Sequence, residues 1–447
     1  MVEFHKTRLP EIERRATITR ATINLGKVTL CFGQLAFLHP RLTFEHFLVT
    51  RQQNNEHSKR KRPRPDLSRI QSQKNQSAKS ENVGHPKEND VSNSDEASVA
   101  KRVILSRRID PLMGGGISLL IALFVISFGW ITQSGVSQFL LAIELYLFTD
   151  LFINGPHFMA SYRLLYSRTG NLRKHPIVTL AFPAISALFL IYIIYSSYQQ
   201  SFYDPLGIMG VLTLIAPIVL AWHYTGQSWG TTACFAHLEG FRISPIQRRL
   251  VRGGFLALFL YHIAWAYDST GFIQQTLSEQ DAGKYLMQSV MSLCRLLVAI
   301  GFVAGLYGFW TMSQQSNRQI PIRIWLPWAA TFSWYAMVDI NPASFFLLQI
   351  FHALQYLMFP IRVEINDYTP RNKRKYHLLI YYVCLVALGY LAFEWASFPA
   401  VPKQLIPAGA ATMMIINLHH YFIDAVIWKI REPEVRNSLF GHLETTT

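Results

Sequence analysis

The chain has 447 residues and a formal net charge of +15, yet only 15% of its residues are charged and half are hydrophobic. A soluble domain carries about 25% charged residues, so the composition excludes an ordinary soluble globular protein. The Lys and Arg residues sit in the leading segment and in short stretches between apolar runs. That distribution argues for a bilayer as the partner and against nucleic acid.

Residues 1–110 are polar and basic, and 51–101 contain no aromatic residue. They lack the apolar surface to offset the entropy of ordering, so a largely disordered N-terminal tail is expected. The stretch SKRKRPRP fits a solvated basic segment near anionic headgroups. Residues 27–49 are interrupted by Lys27, His39, Pro40, Arg41 and Glu45 and fall short of the ~20 apolar residues a span needs. No secretory signal peptide is evident. The cysteines Cys31, Cys234, Cys294 and Cys384 are far apart and form no paired motif, which argues against a disulfide framework or a Cys-based zinc site.

Residues 111–430 predict an all-α integral membrane protein, a polytopic bundle of about ten transmembrane helices. The expected spans are 112–131, 139–153, 177–198, 206–222, 253–267, 285–310, 325–340, 344–359, 378–398 and 405–428. The runs are continuous rather than alternating, which excludes strands. Residues 431–447 form a short C-terminal tail. Connections after even-numbered spans carry positive charge: Arg163, Arg168, Arg173 and Lys174, then Arg242, Arg248, Arg249 and Arg252, then Arg318 and Arg323, then Arg371 to Lys375. The opposite connections carry Asp204, Asp268, Asp281 and Asp339, with only Lys284 and Lys403 as cations. The positive-inside rule then places both termini in the cytoplasm of a cell (inner) membrane protein.

Ionisable groups within apolar spans are costly and mark candidate sites. Asp150, Asn154 and His157 are spaced four and three apart and share a helix face. His223 and Gln227 lie one turn apart, as do His420 and Asp424. His352 is flanked on its face by Gln349 and Gln355, and His419 adjoins His420. The assumed topology puts imidazoles from four helices into one slab of the bilayer. Imidazole suits iron, copper and zinc. The expected ligand set is therefore His157, His223, His352, His419 and His420, with Asp150, Gln227 and Asp424 orienting them. The expected cofactor is iron or another transition metal, and two such histidines would also suit the axial positions of a haem. Taken singly, each His has a bland alternative as an interfacial or interhelical group. His262 falls at a different depth and is expected outside the set.

The HxxxH and HxxHH boxes of membrane desaturases are absent, as are P-loop, GxGxxG, GxSxG, HExxH and CxxCH motifs. The segments PHFMASYRLLY, WHYTGQSWG, FHALQYL and HHYFIDAVIWKIREPEVR resemble a group of poorly characterised bacterial polytopic membrane proteins with PHFxxSYR and HHYxxDxxIWK signatures. The resemblance covers roughly 105–440 and implies architecture and site choice, with no activity attached. Spreading histidines over several spans is also similar, in architecture alone, to bacterial membrane oxygenases that cleave carotene. Two function classes remain. One is a metal-dependent oxygenase or redox enzyme acting on a hydrophobic small molecule that enters laterally. The other is a proton- or ion-coupled transporter using Glu144, Asp150, His352 and Asp424, or a structural membrane protein. No internal repeat favours the transporter.

Overall fold

The computed structural model describes residues 102–132, 148–168, 170–199, 205–270, 280–368, 374–430 and 432–444. Among these the chain is all-helical, without strands. The expected disordered tail, but for 102–110, lies outside the described residues. So do Glu144, Arg371, Lys373, Asp204 and most of the expected second span.

The helices in chain order are α1 Ile117–Thr132, α2 Gly155–Ser167, α3 Phe182–Tyr198 and α4 Pro205–Leu238. Then come α5 Pro245–Thr270, α6 Gln280–Ser316, α7 Ile322–Ile340 and α8 Phe345–Asp367. The series ends with α9 Arg374–Glu394, α10 Ile406–Ile427 and α11 Pro433–Glu444. Among the described residues, seven helices are long and apolar enough to cross a membrane. They are Ile109–Ser127, Ile177–Tyr198, Pro245–Ser269, Asp281–Ser316, Phe345–Asp367, Arg374–Ser397 and Lys403–Ile427. The expected fourth and seventh spans are helical as well, within α4 and α7. The expected eighth span was bounded at Pro360, but α8 carries Pro360 inside it. A proline is tolerated there because packed neighbours support the locally freed backbone.

Helices α1, α4, α5, α6 and α7 pack together, and α2, α3, α9 and α10 form a second group. Helix α8 lies between them, touching α2, α4, α9 and α11. That is why α8 is buried along most of its length while carrying polar side chains. Gln355 donates to the carbonyl of Gly114 (2.8 Å), in a segment where the helix preceding α1 breaks at Gly115. Its amide oxygen accepts from Gln227 and Ser228, each at 3.3 Å. The second group closes through Gly155 on α2 and Gly389 on α9. A Cβ on Gly389 would meet the Gly155 backbone at 2.8–3.1 Å, so only the absence of a side chain permits this approach.

Two boundaries differ from the sequence reading. Residues 102–110 belong to the bundle rather than to the tail. Ile104 is fully buried, and the buried Asp110 accepts from the backbone N–H groups of Ile104, Leu105 and Ser106 at 2.7–3.1 Å. Arg323 lies 3.6 Å from Asp110, donates to the Arg102 carbonyl and pairs with Glu239. The C-terminal tail is largely the helix α11, whose Val435, Leu439 and Phe440 are buried against α8. Both segments have an apolar side that the bundle covers, which composition averaged over a polar stretch conceals.

Candidate functional site

Four helices supply one imidazole each. His157 comes from α2, His223 from α4, His352 from α8 and His420 from α10. One ligand nitrogen from each lies within 4.8 Å of the other three. The Nε2 atoms of His157 and His420 are 2.9 Å apart, those of His223 and His352 2.9 Å, and those of His420 and His223 3.2 Å. With metal–nitrogen bonds of about 2.0–2.1 Å, neighbouring ligands of one ion stand about 2.8–3.4 Å apart, and opposite ligands of a square plane about 4.0–4.2 Å. The spacing is thus that of a four-nitrogen site able to hold one metal ion. His157, His352 and His420 are at most 2% exposed.

Local sequence explains each placement. Helix α2 begins after a widened turn, Asp150–Asn154, followed by Pro156; such turns are common at functional sites. Nδ1 of His157 faces the Asn154 carbonyl at 3.3 Å. A carbonyl only accepts, so Nδ1 carries the proton and Nε2 presents its lone pair to the site. Asp150 accepts from the Asn154 side chain at 2.6 Å and so reaches His157 through that residue. Gln227 donates to the backbone carbonyl of His352 at 2.9 Å, which places it behind His352 rather than on its sequence neighbour His223.

Asp424 lies on the inner side of the site. Its Oδ2 is 3.4 Å from Nε2 of His420 and 3.7 Å from Nε2 of His223. It therefore faces the nitrogens that converge and could add an oxygen ligand or hold a proton there. Its Oδ1 accepts from Tyr356 Oη (2.9 Å) and Ser161 Oγ (3.2 Å). Ser161 and Tyr356 are 2.6 Å apart, and Trp428 Nε1 donates to Tyr356 at 3.0 Å. Ser161 and Trp428 were not singled out from sequence. The available signal was spacing: Ser161 follows His157 by four, and Trp428 follows Asp424 by four, so each shares its predecessor's face.

His419 is turned away from the four. Its Nε2 contacts the Val178 carbonyl at 2.7 Å, so it donates there. Its Nδ1 then accepts from Tyr162 Oη at 3.0 Å, and the ring stacks on Phe182 at 4.6 Å. Both nitrogens are engaged in joining α10 to α2 and to the start of α3, which removes His419 from the expected ligand set. His262 also stands apart, bonded to Tyr335 at 3.0 Å, with the Tyr224 ring between it and His352. The four clustered rings contact one another at centroid distances of 4.3–5.1 Å. Rings in mutual contact leave no flat slot for a porphyrin between them, which argues against the expected axial haem pair.

A cleft of about 460 Å³ opens between α4 and α10 beside His223, in the ~300–1,000 Å³ range of ligand pockets. His223, Asp424, Tyr356 and Trp428 form its polar end, and Val219, Phe359 and Phe422 are among its apolar walls. Comparison with protein-family models, curated proteins and solved structures gave no match.

Proposed function

We propose that this chain is a membrane-embedded metalloenzyme, an oxygenase or another redox enzyme whose lipid-soluble substrate enters from the bilayer through the α4–α10 cleft. The observation that carries the reading is the convergence of four imidazole Nε2 atoms from four different helices in a buried position. His157, protonated on Nδ1, turns its Nε2 lone pair toward the other three rings, and a cation between them would accept that lone pair and those the other Nε2 atoms can present. Imidazole donors suit iron, copper and zinc; a transition metal there would polarise or activate an oxygen species or water.

The membrane setting is supported by surface chemistry. Ile185, Leu188, Ile191 and Tyr195 on α3 are each more than 60% exposed, an apolar face that water would not tolerate at this extent. The Lys and Arg distribution favours both termini on the cytoplasmic side. A proton- or ion-coupled carrier remains the second reading, because Asp424 is a half-buried carboxylate beside imidazoles.

The test is elemental analysis of the purified chain, as isolated and after loading with iron, copper or zinc. About one ion per chain is expected, with His420→Ala losing it and His419→Ala keeping it. A wild-type chain that takes up no metal under any loading would sink the enzyme reading and favour the carrier.

A further inference from the structure

A second cavity, of about 340 Å³, lies on the neighbouring face of α4. Arg248, Arg249 and Arg252 of α5 line it, with Trp222 and Trp229 of α4 opposite. The Arg252 guanidinium sits over the Trp229 ring, 5.7 Å from its centroid. All three arginines are exposed, and among the described residues no carboxylate forms an ion pair with them. Arg248 and Arg252 are like charges at i and i+4, an unfavourable arrangement that an anion would relieve.

The two cavities adjoin along α4 and share two lining residues. Trp222 and Gly226 line both of them, and a Cβ placed on Gly226 would meet nothing within 4 Å. Gly226 is exposed and therefore not a packing glycine, and the open space over it lies between the arginines and the cleft. The rise from Trp229 to His223 is about 9 Å at ~1.5 Å per residue. A molecule with its charge at the arginines would present its chain, about that far from the headgroup, to His223 and Asp424.

We propose that the arginine cavity binds the anionic headgroup, phosphate or carboxylate, of an amphiphile whose apolar chain crosses Gly226 into the α4–α10 cleft. The inference rests on reading that cleft as the substrate site and specifies the substrate class. Arginine suits the role because its planar fork engages phosphate and carboxylate oxygens bidentately. The tryptophans border the chain where charged and apolar surroundings meet.

The experiment uses the purified full chain in a neutral detergent, with tryptophan fluorescence read during titration with dodecyl phosphate, dodecanol or inorganic phosphate. Dodecyl phosphate should bind saturably and at least about tenfold more tightly than dodecanol, because charged hydrogen-bond partners discriminate strongly against an analogue lacking them. Inorganic phosphate should neither bind at comparable concentration nor displace it. The double variant Arg248→Gln/Arg252→Gln and the space-filling Gly226→Leu should each weaken dodecyl phosphate about tenfold or more. Equal binding of dodecanol overturns the headgroup site, and equal competition by inorganic phosphate overturns the amphiphile in favour of a free anion. Both comparisons use the unaltered chain and do not depend on how a variant folds. Metal content is measured on the same samples. A metal-loaded chain whose dodecyl phosphate binding ignores the arginines refutes this inference alone. Arginine-dependent binding by a chain that takes up no metal supports the amphiphile site and refutes the redox reading.

Discussion

At the scale of single residues, the site depends on which imidazole nitrogen faces inward. His157 is oriented by a backbone carbonyl, a fixed acceptor that ties one tautomer to the helix geometry. Asp424 is held differently, by the Tyr356 and Ser161 hydroxyls on Oδ1, which leaves Oδ2 toward His420 and His223. Replacing Tyr356 by Phe keeps the ring and its packing but removes one of the two hydroxyl donors to Oδ1 and the Tyr356 acceptor of Trp428 Nε1. Groups that orient ligands typically contribute about 10–100-fold in metal affinity or activity. Tyr356→Phe should therefore weaken metal binding by roughly tenfold or more in competition with a chelator. Affinity equal to the wild type would assign Tyr356 to packing alone.

At the scale of elements, α11 shows how a short polar segment becomes part of a bundle. Its buried Leu439 and Phe440 face α8, and Asn366 of α8 donates to the Ser438 carbonyl at 2.8 Å. His442 Nε2 meets the Val103 carbonyl at 2.8 Å, so α11 also holds the segment ahead of α1. Burial, and then the Arg362 guanidinium, hold the His442 pKa below the ordinary value. A detached α11 therefore binds the proton more readily than a docked one. Docking should be fully supported above the ordinary pKa of about 6.5 and should weaken as pH falls below it toward the lowered value. Amide exchange across 435–443, corrected for intrinsic rates, should accelerate between pH 7.5 and 5 relative to α8. His442→Gln, which still has an N–H to donate, should flatten that dependence. Protection in the wild type that does not change with pH would remove His442 as its cause.

At the scale of the whole molecule, two helix groups meet along α8, and the four histidines lie where they meet. A site built across such a seam takes its geometry from helix packing, so each ligand needs only its own position and the packing around it. The proposed orientation makes a prediction at this scale. Single cysteines at Arg173, Arg249 and Arg374, all exposed, should react with an impermeant thiol reagent only from the cytoplasmic side. A cysteine at the exposed Asp281 should react only from the opposite side. The measurement is gel-shift labelling in intact cells and inverted vesicles, on a background with the four native cysteines replaced. Labelling of position 249 from outside would reverse the orientation or change the number of spans.

The all-helical architecture was legible in the sequence because continuous apolar runs with rare charges satisfy only one economical backbone arrangement. The members of the site were legible for a related reason: a polar side chain inside an apolar run is costly, so His157, His223, His352 and His420 stood out one per helix. The choice between His419 and His420 was not legible. Adjacent residues point about 100° apart, and nothing local says which direction holds the other imidazoles and which holds Tyr162 and the Val178 carbonyl. The same limit applies to Gln227, which bonds the backbone behind His352 rather than its own neighbour, and to Asp424, whose position on the Nε2 side depends on the approach of α2 and α8. The burial of Ile104 and Asp110 in a stretch that reads as tail is also a tertiary fact, since Arg323, beside Asp110, and Arg362, which donates to the Ile104 carbonyl, lie more than 200 residues away in the chain. Residue type and helical period set the cost of each buried polar group; only the packing of one helix against another determined which partner meets that cost.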